Sequence, residues 1–338
     1  MCNCLFVSNK VTTTGDNMRR LIRVLAFVVA TMSIVAPLAA SADYPDRILR
    51  IVVPYPPGGG MDAVTRTIAA RLTVTLGQPV VVDNRAGGAG MIGIQAMTNA
   101  RPDGYTLMTH ALGFAVNPAV YKKLPYDPIG DIQPVAIVGF SPVYIAVNPK
   151  LEARTLQEFV ELAKKRRMKG ATFGFGASRL MMESLRLQGG FEMDFIPYNG
   201  TAPAIIGTIA GDTDFVMMDA PSVQQHILSG SLRGLAVASE KRSPGLPDLP
   251  TTREAGLPGV VVDFWYAMFM KAGSPAEAVR KMNTEINKAT QVPDIAQRMA
   301  AIGIVPNNMS VEDSSRFYLA EVDRWKDVVI KAKIEPVN

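Results

Sequence analysis

Two glycine-bearing loops hold the residues whose types and spacing could do chemistry. The first is Tyr55-Pro56-Pro57-Gly58-Gly59-Gly60, which follows the apolar run Ile51-Val52-Val53 and precedes Asp62. Glycines let the main chain come close to a ligand and turn amide N–H groups toward it. A helix starting behind them aims its positive end at the same spot, which favours an anion. The loop has no lysine and no nucleophile, so it reads as a place that holds something. It is not a P-loop, because no Gly-Lys-Ser/Thr follows. A purely structural turn is the competing reading.

The second loop, Gly87-Gly88-Ala89-Gly90, opens a formal G-x-G-x-x-G from Gly88 to Gly93. A dinucleotide site needs its first glycine directly after a strand. Here Asn84, Arg85, Ala86 and Gly87 intervene after Val80-Val81-Val82-Asp83. No cofactor is expected, and the loop reads as a second N–H cluster for an anion or as a plain turn.

The remaining candidates are single side chains. His110 and His226 are the only histidines, which excludes a multi-histidine metal site. No G-x-S-x-G occurs, and no nucleophile–base pair can be assembled, so no catalytic residue is predicted. His110 either lines a pocket or packs in the core. Asp219 follows Phe215-Val216-Met217-Met218, at a strand end that could face a ligand. Arg179 stands behind Gly176-Ala177-Ser178, where a guanidinium could take a carboxylate bidentately. A solvated arginine explains it equally well. Tyr55, Phe114, Tyr198 and Trp265 are candidate apolar walls or core residues.

Short apolar runs alternate with helical patterns, which predicts parallel sheets with crossover helices. Val64, Ile68, Leu72 and Leu76 repeat on one helix face, with Asp62 placed as a cap. Strands are predicted at 51–53, 80–82 and 106–109. Asn117-Pro118 to Asp131 reads as a long surface connection. Strands at 135–138 and 143–147, separated by Ser141-Pro142, mark a first crossing between domains. Helix Leu156 to Lys165 follows, then strands at 172–175, 215–218 and 235–238. Residues 242–258 read as an ordered proline-rich connection. Phe264 to Met270 crosses back, and helices at 275–290 and 311–331 close the chain. The expected domains are 43–143 with 261–338, and 144–260.

The start of the chain reads as a leader. Met18-Arg19-Arg20-Leu21-Ile22-Arg23 is basic, residues 24–38 are apolar, and Ala40-Ser41-Ala42 is an A-x-A site. This is the pattern of a secretory signal peptide, with cleavage expected after Ala42 and translation starting at Met1 or Met18. Cys2 and Cys4 would leave with it, so no thiol or disulfide chemistry is expected. The leader holds four basic residues against one acidic, so the net charge of +5 falls to +2 without it. A near-neutral chain with no basic-aromatic run offers nothing to nucleic acid.

These residues resemble the Bug family, the substrate-binding proteins of tripartite tricarboxylate transporters. The resemblance rests on Tyr44-Pro45-Asp46-Arg47, the run from Ile51 to Gly59, Asp62, Asn84-Arg85-Ala86-Gly87 and Pro102-Asp103-Gly104-Tyr105-Thr106-Leu107. It continues through Asn117-Pro118, Leu124-Pro125-Tyr126-Asp127-Pro128, Pro197-Tyr198, the runs 232–237 and 246–251, Glu254-Ala255-Gly256 and Arg324-Trp325. It implies an α/β, two-lobed periplasmic-binding-protein fold, with two doubly wound sheets joined by crossing strands that close like a hinge. It also implies a ligand carboxylate held at the Tyr55–Gly60 loop, and a cleft lined by Thr109, His110, Ala111, the Ala177-Ser178 turn, Tyr198 and Asp219. Two positions depart from the family: the loop before Arg179 is short and the residue is arginine rather than histidine, and Asn199 replaces a lysine.

The expectation is therefore a monomeric periplasmic receptor, not an enzyme, that delivers a small organic acid to membrane permease subunits. A sensor for a signalling partner, or less favourably a secreted enzyme on the same scaffold, are the alternatives. Neither a metal nor a cofactor is expected.

Overall fold

The computed structural model describes Met1 and residues 44–173, 176–262, 264–331 and 334–337. The expected leader with Cys2 and Cys4, and the Gly174-Phe175 pair, lie outside the described residues.

The chain from Tyr44 onward builds two sheets. Strands β1 (Leu49–Val53), β2 (Val80–Asn84), β3 (Thr106–Ala111), β4 (Ile132–Ser141), β10 (Phe264–Lys271) and β11 (Val305–Pro306) form the first, in the order β11-β4-β10-β3-β1-β2. Strands β5 (Val143–Val147), β6 (Met168–Phe173), β7 (Met193–Tyr198), β8 (Phe215–Asp219) and β9 (Arg233–Val237) form the second, in the order β7-β6-β8-β5-β9. Only Pro142 separates β4 of one sheet from β5 of the other. This is the two-lobed architecture of a periplasmic binding protein.

Both sheets are mixed rather than parallel. β1 runs parallel to β2 and β3, and β6 parallel to β7 and β8. β10 runs antiparallel to β3 and β4, and β5 antiparallel to β8 and β9. The cause is the crossing. β4 leaves the first lobe at the same end where β10 enters it, so the two must point in opposite directions.

Helix α1 (Gly60–Leu76) buries Val64, Ile68 and Leu72 completely, as the four-residue repeat requires. Truncating Leu72 to alanine would cost about 2–5 kcal/mol. Helix α2 spans Met91–Thr98 behind a single turn of 3-10 helix at Gly88–Gly90. Helix α3 (Gly113–Val120) replaces the first part of the expected surface connection, and it contains Asn117 and Pro118. An interior proline costs a helix about 3 kcal/mol. Burial of Phe114, Val116, Ala119 and Val120 offsets that, each large side chain contributing roughly 1.5–3 kcal/mol.

In the second lobe, helices α4 (Leu156–Lys165), α5 (Ala177–Gly189), α6 (Thr201–Ala210) and α7 (Ala220–Leu228) cover the sheet. The first lobe ends with α8 (Ala276–Gln291), α9 (Pro293–Ala301) and α10 (Val311–Lys331). Strand β10 is buried from Phe264 to Met270 and runs through the middle of the first sheet. Among the described residues no helix is long and apolar enough to cross a membrane.

Candidate functional site

The Tyr55–Gly60 loop is held by a carboxylate at its base. Asp62 sits at the third residue of α1, not at the cap, which is Gly59. Asp62 Oδ2 accepts from the Gly58 amide (3.0 Å) and from Arg66 Nε (3.0 Å), and Oδ1 accepts from Asn84 Nδ2 (3.0 Å). Asn84 also donates to the Tyr55 carbonyl (3.1 Å). Gly58 takes a left-handed φ of 88°, open to glycine and strained for other residues. Burial pushes the Asp62 carboxyl up, but Arg66, the Gly58 amide and Asn84 together bring it below the usual carboxylate value. The motif residues Asp62 and Asn84 thus shape the loop.

This loop faces the second lobe at close range. A Cβ on Gly59 would stand 2.5 Å from Thr201 Oγ1, and one on Gly60 would stand 2.6 Å from Ser222 Oγ and 2.9 Å from Asp219 Oδ2. A Cβ on Gly200 would stand 2.9 Å from Pro56 Cδ. The lobes are closed, and the cavity left between them is small, about 30 Å³.

Five helix starts meet at this cavity. Gly59 and Met61 bring α1, Gly113 brings α3, Ala177 brings α5, Thr201 brings α6, and Asp219 with Ser222 brings α7. The first four have no side chain capping their N-terminal amides. Unpaired amides and aligned helix dipoles make such a place attractive to an anion.

His110 lines the same cavity and is 1% exposed. Its Nδ1 lies 2.8 Å from the Ala111 amide, from which it accepts in one tautomer, and 3.1 Å from the Ala111 carbonyl, to which it donates in the other. Nε2 is buried and has no protein partner. Burial drives the histidine down to about 4, so the ring is neutral at ordinary pH. Phe114 stacks on it at 4.9 Å and Tyr55 meets it edge-on at 5.8 Å. Asp219, on the opposite wall, accepts from Tyr266 on Oδ2 and from Ser222 Oγ (3.0 Å) on Oδ1. Burial pushes this carboxyl up, against the pull of both hydroxyls.

Of the residues singled out in the sequence, Tyr55, Pro56, Gly59, Asp62, His110, Ala111, Ala177 and Asp219 line this cavity. Pro57 and Gly58 belong to the same loop. The hydroxyl of Ser178 is used on Phe173, accepting from its amide and donating to its carbonyl at 3.1 Å. Thr109 is fully buried in β3, its hydroxyl unpartnered by protein. Arg179 and Tyr198 line a second chamber, together with Ala89, the neighbour of Gly88. Phe114 and Trp265 are core: Phe114 packs on Phe269, and the Trp265 indole donates to Glu321 at 2.9 Å. Thr201, Ser222 and Tyr266 line the cavity too. Gly200 before Thr201 repeats the glycine-then-helix signal of the first loop, whereas nothing local marks Tyr266. Among the described residues no group of three potential ligands could hold a metal ion.

The model of the tripartite tricarboxylate transporter family receptor matches residues 64–334, most of the chain. The chain belongs to this family. The receptor is 35% identical to protein BugT of Bordetella pertussis over 319 residues, covering 93% of this chain and 97% of BugT. Its fold matches a Rhodopseudomonas palustris protein solved with adipate, with a TM-score of 0.84 and 30% identity over 87% of this chain and all of that one. It matches MatC of the same organism, solved with bound malate, with a TM-score of 0.80 and 30% identity over 85% of this chain and all of MatC.

Proposed function

We propose that this receptor binds a small organic acid between its lobes in the periplasm and presents the closed form to permease subunits of a tripartite transporter. The observation that carries the proposal is the convergence of five helix starts on one enclosed cavity. Those amides, beside the buried Nε2 of the neutral His110, form a donor set for a carboxylate. The adipate and malate found in two relatives are acids of the same kind. The lobes are read as 43–143 with 261–338, and 144–260. The chain crosses between Ser141 of the first sheet and Val143 of the second, which supports a division here but puts Val143 with the second lobe rather than the first. Closure by rigid-body rotation about the crossing strands would bury the ligand.

The test is a thermal-shift screen of protein purified from the periplasm, unfolded and refolded to remove any carried ligand. Monocarboxylates, dicarboxylates, tricarboxylates, acidic amino acids and aromatic acids would be compared. A ligand held far below its working concentration raises the melting temperature by mass action. A shift with one class of acid supports the reading, and silence across all five refutes it. N-terminal sequencing of the same material tests export, with Asp43 expected first.

A further inference from the structure

A broad polar depression of about 690 Å³ lies on the first lobe and shares no lining residue with the chambers between the lobes. Asn283, Asn287 and Gln291 of α8, Val292 and Pro293 at the start of α9, and Asn308 of the turn after β11 line it. Asn283 Nδ2 donates to the carbonyls of Val135 (2.7 Å) and Met309 (3.0 Å). Asn283 Oδ1 accepts from Asn287 Nδ2 (3.2 Å), which also donates to the Met309 carbonyl (2.9 Å). These acceptors fix both amides the same way round. Asn287 is 8% exposed, and its Oδ1 is buried without a protein partner. An acceptor in that state is costly to leave unpaired, so the site calls for a donor.

The lining selects the kind of partner. Small-molecule sites are enclosed and lined mainly by apolar and aromatic groups. This depression is open, rich in amides, and among the described residues has no aromatic ring in its wall. Lys288 is the one charged residue in that wall, and it donates to Glu285 at 3.4 Å. Asn283, Asn287 and Gln291 recur every four residues, about 6 Å apart along the helix axis. Alternate residues of an extended chain recur at about 6.6–6.8 Å, so successive amides can address successive peptide groups of such a chain.

The same wall is tied to lobe closure. Helix α9 begins at the depression with Pro293 and ends at Ala301, whose carbonyl accepts from Gln224 Nε2 of α7 in the other lobe (3.1 Å). Two residues on, a Cβ at Gly303 would stand 2.3 Å from Ala220 Cβ, also in α7. One helix thus joins the seam between the lobes to the rim of the depression.

We propose that this depression docks an extended, uncharged peptide segment of a permease subunit, which donates a backbone N–H to Asn287 Oδ1. The exposed Lys288 and Gln291 side chains give way as the segment seats. The proposal rests on the receptor reading above and gives it a face that senses closure through α9.

The experiment pairs acid affinity with uptake. Thr284→Arg and Gln291→Arg put bulk and charge into the depression at exposed positions of α8, and Gln297→Arg adds the same charge to an exposed position of α9 outside it. The purified proteins are titrated calorimetrically with the acid that shifts the wild type most in the panel above. The same acid, radiolabelled, is followed into source cells whose receptor gene carries each change. Both α8 variants should bind the acid within about twofold of the wild type yet lower uptake by about tenfold or more, while Gln297→Arg leaves both unchanged. Uptake kept in all three, as for a depression that holds a small ligand instead, would overturn the docking site. Loss of affinity in parallel with uptake, or equal loss of uptake in Gln297→Arg, would overturn it too. Uptake unchanged when the receptor gene is deleted would overturn delivery to a permease, and the docking site with it. Should an α8 variant fail to fold, Asn308→Arg on the exposed turn after β11 carries the same expectation.

Discussion

The Tyr266 hydroxyl donates a hydrogen bond to Oδ2 of Asp219, although the two residues belong to different sheets. Both are buried, and both line the inner cavity. The seam between the lobes is therefore polar at its centre, with a carboxyl whose proton affinity is raised above the ordinary 3.8 chiefly by burial. Above that value the folded protein holds more protons at this site than the unfolded chain does. Stability consequently falls as pH climbs from there, by about 1.4 kcal/mol for every pH unit over which only the folded carboxyl keeps its proton. Asp219→Asn keeps an acceptor for Tyr266 and removes the titration. The variant should match or exceed the wild type at neutral pH, and its advantage should grow as pH rises from 3.8. Urea unfolding across pH checks this, and an equal deficit at every pH would sink it.

Gly60 separates folding from closure. It begins α1, and a methyl there would collide with Ser222 and Asp219 of the other lobe, while its own helix tolerates alanine. Gly60→Ala should keep the wild-type melting temperature without ligand, yet bind acid about tenfold more weakly or worse, because overpacking opposes the closed form. Small-angle scattering should show less compaction on ligand addition. Unchanged affinity would mean that these side chains yield without loss.

His110 has the opposite sign to Asp219. Burial lowers it from 6.5 to about 4, so the unfolded chain takes up a proton before the folded one does. Its contribution is complete above pH 6.5 and drains away as pH falls toward 4, amounting to about 3 kcal/mol. His110→Phe, which preserves a ring against Phe114, should remove that part of the acid sensitivity. It should also weaken acid binding at neutral pH through loss of the buried polar Nε2 at the cavity wall. The difference in unfolding free energy between the two proteins, followed through the window, decides it.

Asp62 tests whether the first loop is braced or merely present. Asp62→Ala strands the Gly58 amide, Arg66 and Asn84, and should cost about 1–3 kcal/mol. Because the folded carboxyl lies below 3.8, the wild-type advantage should shrink as pH falls through that range. Affinity for acid should drop along with stability even though Asp62 already spends both oxygens on the protein. A stable variant with normal affinity would show that the prolines alone hold the loop.

The sequence was most readable where local chemistry decides the outcome. Helix α4 falls at Leu156–Lys165 as read, because Thr155 caps it through the Glu158 amide and a basic cluster ends it. The Pro-Pro-Gly loop and the repeat on α1 are equally local. Strand β7 escaped notice because it is an edge strand, half exposed and carrying Pro197, without a buried apolar run. Helix α3 escaped because Pro118 argues against a helix, and only the surrounding core outweighs it. Tyr266 illustrates the deeper limit. Its place beside the cavity depends on the register that sets it opposite Gly139 and Ala111, pairings made over long stretches of chain.

An acid-binding pole made of peptide amides, as proposed, would be encoded in no particular side chain. Exchanging one residue for another leaves those N–H groups where they are, unless proline enters or the loop changes length. Duplicated copies of such a gene would therefore keep their appetite for acids through long divergence. What a single codon can change is a wall of side chains, such as Arg179 and Asn199 in the second chamber. A library randomised at that wall should yield receptors for other acids rather than receptors for other kinds of molecule.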